Sequence, residues 1–312
     1  MSKSAYRNFR PDELEFQYNP RVSVPEFPEL AQVRSAKSRK VRDSLKSWLN
    51  IAYGTSPRET LDIYASEKAG GPALVYIHGG YWRSGSKEDN ANFVPAFTQR
   101  GATVALVEYD LCPQVTVTDI VRQTRASIAW VFRNIARYGA DPSKLYISGH
   151  SAGGHLTAMA LANDWQTEGL PPDFIKGAVA MSGVHDLDMV MHISANEQIR
   201  MTPEIARQNN PFRYPPRVNG PVLIAVGSVE PEGWKLMSRD YFEFCKQSGV
   251  KAEYLEVPGA NHYTMSEHLG DPNSPLAKAI FKLIEIENSN DRGRVTRVTR
   301  LFRRKKLPGF DP

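Results

Sequence analysis

Three separated stretches of this chain carry residue types that together perform acyl transfer. The first is Gly149-His150-Ser151-Ala152-Gly153-Gly154, in which the apolar run at 145–147 leads into the serine of a G-x-S-x-G pattern and the helix-favouring LTAMALA at 156–162 follows it. A serine at such a strand-to-helix turn sits on strained backbone above the sheet edge, and small neighbours let the main chain pass close beside it. The bare pattern is weak, since roughly one chain in ten of this length matches it by chance, and the strand-turn-helix setting is what gives it weight. The second stretch is His78-Gly79-Gly80-Tyr81-Trp82 at the end of the apolar run 74–77. Acyl transfer places negative charge on a carbonyl oxygen, and each main-chain N–H aimed at that oxygen stabilises the transition state by ~3 to 4 kcal/mol. The amides of Gly79, Gly80 and Ala152 are the natural donors. The plainer alternative is a Gly-Gly turn, with Tyr81 and Trp82 either packed as core or lining a substrate pocket.

A serine hydroxyl is a poor nucleophile at neutral pH, so a base must take its proton. Of the seven histidines, His262 alone lies in a late loop, Pro258-Gly259-Ala260-Asn261-His262-Tyr263, directly after an apolar run. His78, His150 and His155 sit inside the glycine motifs, where hydrogen bonding that orients the loops is their expected role. His185, His192 and His268 carry no local pattern and read as surface or lid residues. The base needs a carboxylate to fix its tautomer. Glu230 and Glu232 both follow the run at 222–227, and Glu230 is the better placed. Asp186 and Asp188, after the preceding run, read as loop-capping groups. No HExxH or CxxC spacing is present, so the reading calls for no metal and no organic cofactor.

These groups must be positioned by a sheet. From residue 73 onward, apolar β-branched runs beginning at Ala73, Ala102, Lys144, Phe174, Pro221 and Ala252 alternate with helical segments. That order predicts an α/β fold with a mostly parallel central sheet flanked by helices. The clearest helix runs from 117 to 138, with Ile120, Ile128, Val131 and Ile135 as its apolar stripe and Asp141-Pro142 as its stop. Runs near 49–53 and 59–64 predict an antiparallel pair opening the sheet. Residues 1–45 read as a helix plus an irregular arm capping a core domain at 46–289. Within that domain, 186–214 has little strand character and reads as a small lid insertion over a pocket.

The 312 residues are 41% hydrophobic and 23% charged, which excludes a wholly disordered chain. No window is apolar enough to span a bilayer and the first residues lack the apolar stretch of a signal peptide, so the expected location is cytoplasmic. Two cysteines, Cys112 and Cys245, give no disulfide framework and are expected to be reduced and buried. The formal charge of +5 belongs to a tail: residues 290–312 hold eight basic side chains against two acidic ones. That tail reads as a solvated end, with binding to nucleic acid or an anionic membrane as its functional alternative.

The motifs HGGYW and GHSAGGH resemble those of the kynurenine formamidase branch of the α/β-hydrolases, close to the hormone-sensitive-lipase-like esterases. Glu13-Leu14-Glu15-Phe16-Gln17-Tyr18-Asn19-Pro20-Arg21 is similar to that family's amino-terminal segment, and Ser182-Gly183-Val184-His185-Asp186-Leu187 to its SGvyDL segment, so the resemblance covers about 10–285. It implies an α/β-hydrolase fold, with Ser151, Glu230 and His262 as nucleophile, acid and base. Gly79, Gly80 and Ala152 become the oxyanion donors, and the substrate is N-formylkynurenine. Two departures are visible: glutamate at 230 where the animal enzymes carry aspartate, and His185 where the family has an aromatic residue. The chain order Ser151, Glu230, His262 is that of α/β-hydrolases. Other small-molecule amides or esters remain open as substrates for a carboxylesterase or acylamidase. A catalytically silent binding module and a homodimer are further open readings.

Overall fold

The computed structural model describes residues 8–286. The chain begins with three helices, α1 (Leu14–Tyr18), α2 (Pro20–Ser23) and α3 (Phe27–Ser44), then enters the sheet through β1 (Ser47–Ala52) and β2 (Thr60–Tyr64). There follow β3 (Gly71–Ile77), α4 (Val94–Thr98), β4 (Thr103–Val107), α5 (Val117–Asn134), β5 (Ala140–His150), α6 (Ala152–Leu161) and β6 (Ile175–Met181). After β6 come α7 (Asn196–Ile199), α8 (Pro203–Asn209), β7 (Val222–Gly227), α9 (Glu232–Gln247), β8 (Ala252–Val257), α10 (Met265–Gly270) and α11 (Pro275–Leu283). Among the described residues these strands form one eight-stranded sheet in the order β1-β2-β4-β3-β5-β6-β7-β8. Strand β2 runs antiparallel to both its neighbours, and β4, β3, β5, β6, β7 and β8 are mutually parallel. The six predicted parallel strands, the opening antiparallel pair and the long helix are all present.

Alternation along the strands divides the core in two. Val75, Ile77, Ile147, Ala178, Ile224 and Val226 face one layer, which is packed by α5, α6 and α9. Leu74, Tyr76, Tyr146, Val179, Leu223 and Ala225 face the other, packed by α4, α10 and α11. Burial on both faces is why these runs read as continuous apolar segments rather than as alternating ones. Helix α5 starts where Thr116 accepts from the Asp119 amide and Asp119 accepts in return from the Thr116 amide, a capping box. Its end differs from the expectation. Gly139, at φ 89°, turns the chain, while Asp141 and Pro142 lie inside β5. They are tolerated there because the β3–β5 register jumps from Ala140 to Leu145, bulging the intervening residues away from the ladder.

The amino-terminal arm is more ordered than its proline and charge content suggested. Tyr18 is fully buried in the larger core, and its ring lies against Gly233, where a Cβ would fall 2.7 Å from Tyr18 Cζ. The Tyr81 hydroxyl donates to the Tyr18 carbonyl at 2.5 Å, and the Gly233 amide donates to Gln17 Oε1 at 2.8 Å. Helix α3 is fixed by an ion pair from Arg42 to the buried Asp62, which also accepts from the Asn50 amide. The insertion at 186–214 contains no strand, in keeping with its lack of strand pattern; it holds the short helices α7 and α8 and packs through Asn209, whose Nδ2 donates to Thr118 Oγ1 on α5. Residues 290–312, the basic tail, lie outside the described residues. No described helix is long and apolar enough to cross a membrane, and both cysteines are free and buried.

Tyr18→Ala is expected to lower unfolding free energy by about 3 to 5 kcal/mol, the cost of removing a large ring from a packed core. The Tyr18 hydroxyl is buried with no hydrogen-bond partner, so Tyr18→Phe is expected to stay within about 1 kcal/mol of the parent. Urea unfolding curves of the two variants make the comparison.

Candidate active site

The carboxyl ends of β3, β5, β6, β7 and β8 lie along one edge of the sheet, and every residue proposed for chemistry projects from the loops there. Ser151 follows β5 at φ 58°, ψ −119°, a conformation that costs a non-glycine residue ~1 to 3 kcal/mol and persists only when neighbours hold it. Here the Ser151 amide donates to the Met181 carbonyl at 2.8 Å, and its own carbonyl accepts from His155 and Val184. Close approach explains the glycines: a Cβ on Gly153 would overlap the Ile77 carbonyl, and one on Gly79 would fall 2.9 Å from Ser151 Cβ. Gly80, at φ 122°, completes the turn that brings two amides to the serine. Among the described residues no protein acceptor receives the N–H of Gly79, Gly80 or Ala152.

Two groups brace that turn. His78 donates from Nδ1 to the Gly79 carbonyl at 2.7 Å, and its Nε2 lies 2.9 Å from Glu108 Oε1. The Tyr109 ring stacks on His78 at 4.3 Å, while its hydroxyl donates to the His78 carbonyl. Burial alone would raise the Glu108 carboxyl; the neighbouring His78 and Arg58 outweigh it and bring the group down to about 2. Glu108 therefore stays an anion and a constant acceptor.

His262 Nδ1 donates to Glu230 Oε2 at 2.7 Å. Glu230 Oε1 accepts from the Ser182 hydroxyl at 2.5 Å and from the Gly227 amide at 2.7 Å. Both carboxylate oxygens are thus committed, which fixes the proton of His262 on Nδ1 and leaves the Nε2 lone pair available. The imidazole is boxed by Trp234 at 4.3 Å and His150 at 4.6 Å between ring centroids. Ser151, His262, Gly79, Gly80 and Tyr81 line a single cavity of about 380 Å³. Such an arrangement suits attack on a carbonyl: a hydroxyl, an oriented imidazole and unpaired amides lie around one cavity. Among the described residues no cluster of three or more His, Cys, Asp or Glu side chains is placed to hold a metal ion.

Other expectations meet mixed outcomes. Trp82 does not line the cavity: it is fully buried, with its ring edge-on to His155 at 5.0 Å, so the pocket pair reduces to Tyr81. Glu232 points away, pairing with Arg239 and Lys235 at the start of α9. His185 is neither surface nor lid; it is buried and stacked on Tyr241 at 4.0 Å, filling the place of an aromatic ring. His155 donates from Nε2 to the Asn209 carbonyl and holds the insertion against α6. Asp186 accepts from the Asp188 amide, a loop-capping contact. The insertion at 186–214 contributes nothing to the cavity lining; the opposing wall comes from the amino-terminal arm, through Asn19, Arg21, Phe27 and Arg34. Sequence reasoning did not assign that wall, nor roles to Ser182 and Trp234, because their places depend on contacts between segments far apart in the chain.

Comparison with known proteins places the chain as follows. The BD-FAE family pattern matches residues 61–231. Kynurenine formamidase of Danio rerio is 31% identical over 295 residues, covering 90% of this chain and 99% of the fish protein. The Salmo salar kynurenine formamidase is 30% identical, with 90% and 99% coverage. An esterase from the archaeon Pyrobaculum calidifontis shares the fold, with a TM-score of 0.65 at 20% identity over 89% of this chain and 98% of its own.

Two outcomes are expected. In Glu230→Gln, the donors from Ser182 and Gly227 hold the amide oxygen at the Oε1 position and turn the NH2 toward His262. This forces the imidazole proton onto Nε2, and kcat on an activated ester should fall by about 10⁴ with the fold unchanged by circular dichroism. The second concerns stability. Burial lowers the pKa of His185 well below its ordinary value and that of His155 to about 4, and these groups are neutral when folded. The unfolded chain therefore binds more protons, and folding stability declines as pH falls from about 6.5 toward 4, by roughly 2 kcal/mol per such histidine between pH 7 and 5. His185→Phe should flatten that slope in denaturant titrations; an unchanged slope would refute the assignment.

Proposed function

Because the chain belongs to the kynurenine formamidase family of α/β-hydrolases, we propose that this hydrolase cleaves N-formylkynurenine to kynurenine and formate. Ser151 Oγ attacks the formyl carbon while His262 Nε2 takes its proton, and the tetrahedral oxyanion is received by the amides of Gly79, Gly80 and Ala152. The C–N bond breaks as His262 returns that proton to the departing arylamine. Water, activated by the same imidazole, then attacks the formyl-serine ester and releases formate with Ser151 restored. Glu230 holds the tautomer on which both halves depend, and Ser182 positions Glu230. Because its acid is fixed from two sides by Ser182 and Gly227, the longer glutamate reaches His262 without the slack that its extra methylene would allow.

The observation that supports this reading most is that Ser151, His262 and the glycine turn open on one cavity. At about 380 Å³ its size is that of a pocket for a small organic molecule, ample for one ring and an amino-acid side arm. The carbonyl machinery is equally able to act on an ester or another aryl amide, so the ranking of substrates decides between formamidase and esterase. With both cysteines free, we take the enzyme to work in a reducing compartment such as the cytoplasm.

Steady-state kinetics on N-formylkynurenine, p-nitrophenyl acetate and simple anilides test the proposal. The largest kcat/KM is expected on N-formylkynurenine, and Ser151→Ala should lower kcat by about 10⁶. A far larger value on an ester would overturn the substrate, and activity retained in Ser151→Ala would overturn the site.

A further inference from the structure

The charge lining the cavity exceeds what the scissile bond requires. An amide or ester carbonyl is neutral, yet Arg21, Arg34 and Arg83 all line the cavity, against one carboxylate, Asp89. Asp89 is engaged by the Ser86 hydroxyl. Among the described residues none of the three guanidinium groups forms an ion pair. The contrast with other arginines nearby is sharp, since Arg42 and Arg58 are paired with the buried carboxylates Asp62 and Glu108. Arg21 lies over the Phe27 ring at 5.2 Å, and Arg83 donates to Gln198 Oε1 at 2.7 Å. Arg34 Nε is buried with no hydrogen-bond partner.

The three converge. Burial raises the Tyr263 hydroxyl to about 12, although Arg21, Arg34 and Arg83 all act on it in the opposite direction. One phenol, on the residue next to His262, thus lies within electrostatic reach of all three cations. Burial and the neighbouring Arg21 lower the pKa of Arg83, the mark of like charges crowded together. Arg21 is exposed and donates to the Ser84 hydroxyl, whereas Arg34 and Arg83 are half-buried. A half-buried cation without an ion-pair partner gains from a counter-charge, and the unpartnered Nε–H of Arg34 belongs to a planar fork that a carboxylate matches.

We propose that this wall is a carboxylate subsite: the cavity takes acyl amides or esters whose leaving group bears a carboxylate, and Arg34, flanked by Arg21 and Arg83, holds it. The inference rests on the cavity being the acyl-transfer site. It assigns the carboxylate to the leaving group because a formyl group has no room for one. The same cations exclude leaving groups that carry only positive charge.

The test uses pairs differing only in the carboxylate: N-formylkynurenine with its α-methyl ester, and 3-(4-acetoxyphenyl)propanoate with its methyl ester, following release of the aromatic product. In the parent enzyme kcat/KM should favour the carboxylate member of each pair by about tenfold or more, mainly through KM. Arg34→Gln should bring that ratio toward one, Arg83→Gln should reduce it, and Arg34→Lys should keep part of it. The inhibition constant of 3-phenylpropanoate should rise by a similar factor in Arg34→Gln, a readout independent of turnover. A ratio near one in the parent, or a ratio unchanged by Arg34→Gln and Arg83→Gln, overturns the subsite. Preference for the acetoxyphenyl carboxylate with poor turnover of N-formylkynurenine keeps the subsite and rejects the formamidase reading; efficient N-formylkynurenine turnover with ratios of one does the reverse.

Discussion

Direct contact between two turns, with no side chain between them, governs this architecture. The turn after β3 and the turn after β5 meet where Gly153 faces the Ile77 carbonyl and Gly79 faces Ser151. Any Cβ at these positions would push the turns apart, and separating them would take the glycine amides out of reach of the serine. The adjacency of β3 and β5 in the sheet, in register from Ala73 to Ile77, is what brings the turns together. The strained Ser151 backbone is sustained from the other side, by the carbonyl of Met181 at the end of β6. Three neighbouring strands therefore determine the position of one hydroxyl, and preorganisation of this kind is what gives main-chain donors their strength in acyl transfer.

The base is held by a different device. Glu230 reaches His262 between two loops that belong to separate strands, β7 and β8, and a third loop, after β6, supplies Ser182. Because each Glu230 oxygen has its own partners, neither the carboxylate nor the imidazole has freedom to rotate. Trp234 and His150 close the space around the ring, and within it each oxygen of the Glu230 carboxylate has a partner, the condition under which such buried bonds are worth most.

What the sequence disclosed divides along physical lines. Strands β3 to β7 were legible because burial on both faces makes them largely apolar runs, β8 at the sheet edge because apolar residues flank each of its charged ones, and the two glycine turns because close approach admits few residue types. Glu230 and His262 were found by chain order and strand position. Tyr18, Ser182 and Trp234 were not, since each acts through a partner distant in sequence: Tyr18 against Gly233, Ser182 against Glu230 and Trp234 against His262; nor was Arg34, whose place in the cavity wall only the fold reveals. His185 and Trp82 were misplaced for the same reason. A polar side chain stacked on Tyr241 looks like a surface residue, and a buried indole beside a glycine turn looks like a pocket wall, until tertiary contacts are known. The amino-terminal helices were understated because proline at their starts suggests irregularity, whereas Pro20 and Pro28 occupy first-turn positions where a missing N–H costs nothing.

The division between sheet and arm is also a division of labour. The groups proposed to read the carbonyl project from the sheet edge, where strand register fixes them, and those proposed to read the rest of the substrate come largely from the arm and the loop after β3. The arm joins that edge at several points, among them the Tyr18 ring, the Tyr81 hydroxyl, Gln17 and the Phe27 ring against Tyr263, and one of them, Tyr81, lies in the same turn as Gly79 and Gly80. Displacement of the arm would consequently be felt first in the cavity wall, and through Tyr81 and through Tyr263, beside His262, at the serine and the imidazole. An oxyanion site makes no distinction among carbonyls, so under the proposed mechanism selectivity falls to this second wall, and the charge that wall carries is the property through which it would choose.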